Sequence, residues 1–166
     1  MPAPPAVVVE LGCGSLGGFV PALLADGYEP LGVDPEAPEG PSYRRLEFER
    51  SELPSAVDAV VASVSLHHVG DPAEVLDRIA AALKPGGAVV VIEWDWESFD
   101  EPSARWSFER LDLAAESKGW LHRGREHWLA SGRPWDTYLR EWATGHGLHS
   151  ARSLVDALDE RVESVS

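Results

Sequence analysis

The sequence predicts a doubly wound α/β fold, a parallel sheet with helices on both faces. Three observations carry that expectation. Val7-Val-Val-Glu-Leu-Gly-Cys-Gly-Ser-Leu-Gly-Gly18 reads as a buried strand, a glycine turn and a helix start. Continuous apolar runs then alternate with stretches of helical periodicity. Finally, a well-capped helix near residues 71–84 leads through Pro85-Gly-Gly87 straight into another apolar run.

Ala6 to Leu11 is apolar almost throughout, as a strand covered on both faces requires. Residues 18–25, with Phe19, Leu23 and Leu24 on one face, form the first helix, which Asp26-Gly27 ends. Pro30 to Val33 is the second strand. Three prolines between Asp34 and Pro41 forbid a full crossover helix there, so a loop or short turn follows. Tyr43 to Phe48 reads as the third strand and Val57 to Val64 as the fourth. The next helix is strongly signalled: Asp71 caps it, Pro72 suits its first position, Glu74 completes a capping box, and Val75, Leu76, Ile79, Ala82 and Leu83 line one face. Lys84 closes it at the negative end of the helix dipole. Ala88 to Trp94 is the fifth strand. Right-handed crossovers connect such strands, and ligands bind beyond their carboxyl ends where the winding reverses.

That switch point carries the chemistry. Gly12, Gly14 and Gly17 permit a tight turn and a close approach of backbone to ligand, where one glycine would suffice for a simple turn. Asp34 ends the second strand roughly 20 residues after the first glycine, the place from which a carboxylate takes two ribose hydroxyls. A nucleotide cofactor is therefore expected. The glycine spacing also suits a nicotinamide dinucleotide. Glu10, at the tip of the first strand, would repel a pyrophosphate and attract the α-ammonium of a methionine moiety, as in S-adenosylmethionine.

Glu10-Leu-Gly-Cys-Gly14, Val33-Asp34, Asp58-Ala-Val-Val-Ala-Ser-Val-Ser-Leu-His-His68 and Leu83-Lys-Pro-Gly-Gly87, in that order, resemble the class I S-adenosylmethionine-dependent methyltransferases, and most closely their small-molecule type 11 group. The resemblance covers about residues 6–96 and implies a Rossmann-like sheet of order 3-2-1-4-5. It implies that Glu10 faces the methionine ammonium, that Gly12 and Gly14 approach the cofactor, that Asp34 holds the ribose, and that Glu49 accepts the adenine amino group; Cys13, between the two loop glycines, reads from its own chemistry as a small neutral filler beside the ligand. Ser63 and Ser65 converge on the same strand ends. The family pattern is acid-x-Gly-x-Gly-x-Gly; here Leu16 occupies the last glycine position and Gly17 follows, which looks like a loop one residue longer. The implied reaction is methyl transfer to a small, aromatic or amphipathic acceptor, leaving S-adenosylhomocysteine. The sulfonium is already a strong electrophile, so positioning supplies most of the catalysis. His67 and His68, after the fourth strand, are the candidate catalytic bases.

Composition narrows the partners. The 166 residues, 44% of them apolar, amount to one domain with a proper core. A net charge of -14, with 14 basic residues among 28 acids, argues against nucleic acid. No apolar run reaches the roughly 18 residues of a membrane span, and the Met-Pro-Ala-Pro-Pro start lacks the pattern of a secretion signal. One cysteine allows no internal disulfide, which makes the cytoplasm the expected compartment.

Beyond the cofactor-binding core, taken as residues 1–97, the character changes. All seven tryptophans lie between 94 and 142, and Trp135, Tyr138, Leu139 and Trp142 recur at helical spacing. Helices are expected near 101–117, 122–131, 134–146 and 150–160. Their aromatic stripe packs helices together or lines an acceptor pocket, and residues 98–166 form the candidate lid within the same domain. His122, His127, His146 and His149 lack metal-ligand spacing, so no metal is expected. Arg161 to Val165 reads as the start of a sixth strand, and the antiparallel hairpin of strands six and seven is incomplete or absent. An uncovered fifth strand would invite the C-terminal helices or a homodimer partner. Two other classes remain open: a non-catalytic cofactor- or partner-binding module, favoured by the missing hairpin and irregular loop, and an NAD-dependent oxidoreductase, disfavoured by Glu10 and the Lys84-Pro-Gly-Gly87 turn.

Overall fold

In the computed structural model, which describes residues 2–111 and 119–162, the strands are β1 (Val7–Leu11), β2 (Glu29–Val33), β3 (Tyr43–Arg44), β4 (Val57–Ser63) and β5 (Leu83–Ile92). They form one parallel sheet in the order β3-β2-β1-β4-β5. The helices are α1 (Val20–Ala25), α2 (Pro72–Ala82), α3 (Glu101–Phe108), α4 (Trp120–Ser131), α5 (Trp135–Gly145) and α6 (Ala151–Asp159).

The alternation of side chains along β1 sorts the core into two faces. Val9 and Leu11 join Val33, Val57, Val60 and Ala62 under Val75, Leu76 and Ile79 of α2 and Leu154 of α6. Val8 turns the other way, with Ala59 and Val61, against Leu23 of α1 and Tyr28. Glu10 shares parity with Val8, so its carboxylate is delivered to the start of α1. Burial of the aliphatic side chains, each contributing about 1.5–3 kcal/mol, holds the layers together. At the amino ends of the strands, Asp58 accepts the Val7 N–H at 2.8 Å and a hydrogen bond from the Lys84 ammonium at 2.7 Å, joining β1, β4 and β5.

Three boundaries differ from expectation. The third strand pairs with β2 only over Gly32↔Tyr43 and Val33↔Arg44, and a 3-10 turn, Phe48–Arg50, follows where the strand was expected to run on. The helix α2 stops at Ala82, because Pro85 excludes the helical conformation from Lys84, and Leu83 is already extended at ψ 144°. The fifth strand consequently begins at Leu83 and ends at Ile92, with a register shift between Val57 and Ala59.

The chain divides into two compact units, residues 1–94 with 152–166, and residues 95–151. The second unit has its own aromatic core. Trp135 is 1% exposed, donates its indole N–H to the Phe99 carbonyl at 2.6 Å, and meets Phe99, Phe108 and Trp128 edge-on. Leu139 and Ala143 complete the stripe, so the helical repeat of α5 builds a core. The expected helix over 101–117 is seen as Glu101–Phe108, and its residues 112–117 lie outside the described residues, as do 163–165 of the expected sixth strand. Among the described residues no helix is long and apolar enough to cross a membrane.

Candidate cofactor and active site

The glycine turn joins β1 to α1 and is held from below by Glu10. This carboxylate is 2% exposed. It accepts the Phe19 N–H at 3.0 and 2.8 Å and the Val20 N–H at 3.1 Å. Its charge therefore meets the unsatisfied donors of the first turn of α1. Burial pushes the Glu10 carboxyl above its ordinary value, and the Phe19 and Val20 N–H bonds oppose that shift.

Gly12 and Gly14 adopt φ of 77° and 62°, in the left-handed region that favours glycine. They differ in surroundings. A Cβ on Gly12 would overlap the Ser65 methylene, whereas one on Gly14 would meet nothing within 4 Å. Gly12 is thus a packing position and Gly14 an open cradle. Cys13 is buried between them; burial, then the charges of Asp34 and Glu10, push its thiol up to about 11, so it stays neutral at physiological pH.

The ends of the neighbouring strands supply the rest. Asp34, directly after β2, accepts the Glu36 N–H through Oδ1 at 2.7 Å, an arrangement that leaves Oδ2 for a ligand. Glu49 lies in the 3-10 turn and accepts the Gly70 N–H at 3.2 Å, tying that turn to the loop after β4. Ser63 ends β4 opposite Ile92. Ser65 donates to the Leu11 carbonyl at 3.0 Å, closing the gap between the ends of β4 and β1. His67 is 3% exposed, whereas His68 is exposed with its ring centroid 4.1 Å from that of His67. The structure thus gathers Glu10, Gly12, Cys13, Gly14, Asp34, Ser63 and Ser65 at the carboxyl ends of β1, β2 and β4.

Two participants went unnoticed in the sequence. Glu93, just after β5, accepts the Ser65 N–H at 2.8 Å and the Leu66 N–H at 2.6 Å, and lies 2.5 Å from His67 Nδ1. Burial pushes its carboxyl up, but the hydrogen bond and charge of His67 and the two N–H bonds outweigh burial and hold it below the ordinary glutamate value. An acid directly after an apolar strand was the available signal; counting the strand through Trp94 concealed it. Tyr43 is the other. Its ring packs where side chains on Gly17, Gly32 and Gly40 would stand, so Gly17, one place later than the family pattern, is the glycine that admits it.

The donor set is acidic, with Glu10, Asp34, Glu49 and Glu93 at or beside the strand ends. An open glycine cradle beside carboxylates fits an adenosine bearing a cationic tail better than a pyrophosphate.

The chain is similar to known proteins. A family model described as a methyltransferase domain matches residues 2–161. An uncharacterized methyltransferase of Mycobacterium tuberculosis is 29% identical over 164 residues, covering 91% of this chain and 76% of its own. A ubiquinone biosynthesis O-methyltransferase of Nitrobacter winogradskyi is 28% identical over 138 residues, covering 73% of this chain. The chain spans about half the length of that relative, 49%. Among solved structures, an S-adenosylmethionine-dependent methyltransferase from Mesorhizobium loti superposes with a TM-score of 0.51 at 28% identity, over 60% of this chain and 53% of that one.

Proposed function

The chain belongs to the methyltransferase-domain family, of class I S-adenosylmethionine-dependent type, and on that premise we propose that it transfers a methyl group from S-adenosylmethionine to a small-molecule acceptor. The observation that carries the proposal is the open cradle at Gly14 beside Asp34, at the switch point of a β3-β2-β1-β4-β5 sheet. Bound there, the cofactor supplies an electrophilic methyl carbon on a cationic sulfur. Transfer there would form the new bond from an acceptor lone pair as the carbon–sulfur bond breaks, the bonding pair staying on sulfur as S-adenosylhomocysteine.

In this proposal Asp34 binds the ribose through Oδ2, Glu49 takes the adenine amino group, and Gly12, Cys13 and Gly14 line the backbone approach. Glu10 contributes negative charge beneath the loop, toward the methionine ammonium, while its hydrogen bonds keep the loop in place. Ser63 and Ser65 border the site on the β4 side. Where the acceptor atom is oxygen or nitrogen, its proton passes to His68 or His67. Of the two, His68 is the exposed ring. Aromatic or amphipathic acceptors are the proposed class.

A methyl-labelled S-adenosylmethionine incubated with a panel of small phenols, amines and carboxylic acids tests the proposal. Label should move to an acceptor in the native protein and move more slowly in Asp34→Ala at sub-saturating cofactor; no transfer to any acceptor, with tight cofactor binding retained, would favour a binding module.

A further inference from the structure

We propose that Glu93 is a positioning residue of the cofactor site: its single carboxylate clamps the turn Ser65–His67 against the glycine loop and keeps the His67 proton on Nδ1. The turn needs a clamp. Val64, between β4 and Ser65, is β-branched and adopts φ 51°, a strained left-handed conformation that surrounding interactions must hold. The residue is 54% exposed, so packing does not hold it. The holding interactions are the Val64 N–H to the Ile92 carbonyl at 2.7 Å on one side and the Glu93 carboxylate on the other.

Glu93 is well suited to that work. One oxygen takes both the Ser65 and Leu66 N–H groups, at 2.8 and 2.6 Å, and the other faces His67 Nδ1 at 2.5 Å. An ionised carboxylate has only acceptors, so the hydrogen in the last pair belongs to the imidazole. The side chains of both partners are nearly buried, 4% exposed for His67 and 8% for Glu93, which excludes water as a substitute acceptor.

The consequence reaches the cofactor through Ser65. Its hydroxyl donates to the Leu11 carbonyl, and its methylene fills the space that a side chain on Gly12 would need. A strut therefore runs from the end of β5, through Ser65, to the end of β1 and the floor of the glycine loop. Releasing Glu93 leaves two backbone N–H groups without their acceptor and lets the strained turn relax away from Gly12.

The effect on cofactor affinity rests on the function proposed above; the tautomer does not. The test uses the full chain, 15N-labelled at histidine, with native, Glu93→Gln and Glu93→Ala forms. Long-range proton–nitrogen correlation spectra of the ligand-free protein read the His67 tautomer, and calorimetry reads binding of S-adenosylhomocysteine. The native His67 should carry a proton on Nδ1. In Glu93→Gln the amide oxygen still accepts from Ser65 and Leu66, but the amide NH2 now faces Nδ1, so the proton should move to Nε2. Affinity should fall by roughly 5- to 150-fold in Glu93→Ala, the equivalent of 1–3 kcal/mol for a lost charged acceptor. Most of it should return in Glu93→Gln. A bare Nδ1 in the native protein, an unmoved tautomer in Glu93→Gln, or native affinity in Glu93→Ala would each overturn the proposal. If Glu93→Ala does not fold, the Gln variant decides it alone: a moved tautomer supports the clamp, and an unmoved one overturns it. Failure of the native protein to bind S-adenosylhomocysteine would count against the methyl-transfer reading, while the tautomer still tests the clamp.

Discussion

Replacing Gly12 and Gly14 in turn by alanine separates packing from ligand approach within one loop. Both residues sit at positive φ, which costs an alanine about 1–2 kcal/mol at either position. Only Gly12 adds a second cost. Its new methyl would overlap the Ser65 methylene, and Ser65 cannot yield freely because its hydroxyl is bonded to Leu11 and its N–H to Glu93. Overpacking of that kind costs about 1–3 kcal/mol. Gly12→Ala should therefore destabilise the ligand-free protein by about 2–5 kcal/mol, set against about 1–2 for Gly14→Ala. At roughly 2–4 °C per kcal/mol for a chain of this size, that is a fall in Tm of about 4–20 °C against about 2–8 °C. Calorimetry should show the opposite emphasis for the ligand: the Gly14→Ala methyl enters the open cradle and weakens S-adenosylhomocysteine at least about tenfold, some 1.4 kcal/mol. Denaturant unfolding of the two variants in parallel, followed by titration with the ligand, is the assay. Equal stability losses within about 0.5 kcal/mol would refute the seating of Ser65 against Gly12, and undiminished binding in Gly14→Ala would refute the cradle.

Asp34→Ala should weaken S-adenosylhomocysteine by about 1–3 kcal/mol, measured by calorimetry, with little change in the Tm of the free protein, since the bond its carboxylate accepts from the Glu36 N–H is exposed and its backbone bonds survive the substitution; a collapse in Tm without a change in affinity would make Asp34 structural. Trp135→Ala should cost about 3–5 kcal/mol, because the ring is fully buried among four aromatic partners and satisfies the Phe99 carbonyl; denaturant unfolding with near-ultraviolet circular dichroism reads it. Glu93 has a folded pKa below its unfolded one. Its stabilisation is therefore complete above an unfolded value of roughly 4.3 and is lost as pH falls through the folded value. The stability gap between the native protein and Glu93→Gln should shrink between pH 6 and pH 3 in urea titrations, and a gap that widens on acidification would reverse the assignment.

Elements governed by local patterns were legible in the sequence. The run Ala6–Leu11 gave away β1, and Asp71 does cap α2, accepting the Ala73 and Glu74 N–H groups. The glycines and Asp34 fell where strand ends must lie in a doubly wound sheet. Features set by partners far along the chain were not. The third strand is as short as its pairing with β2 allows. Pro85 ends the helix before Lys84, and the fifth strand begins at Leu83 with Val57 as its distant partner. Glu10 was legible as an acid at the tip of β1, but not its hold on the Phe19 and Val20 N–H groups, nine and ten residues away, which strand parity delivers. Glu93 and His67 meet across a separation of 26 residues, which no spacing rule encodes. The tryptophan repeat in α5 was legible as a stripe, and its partners Phe99, Phe108 and Trp128 became visible only in the folded unit.

The central claim is that the acids around the glycine turn select a cationic methionine-bearing nucleoside over a pyrophosphate. Isothermal titration of the native protein with S-adenosylmethionine, S-adenosylhomocysteine and NAD, under one buffer, tests it most directly. The account predicts micromolar binding of the first two, about -8 kcal/mol, and no measurable heat with NAD. Tight NAD binding with no response to either sulfur nucleoside would contradict it.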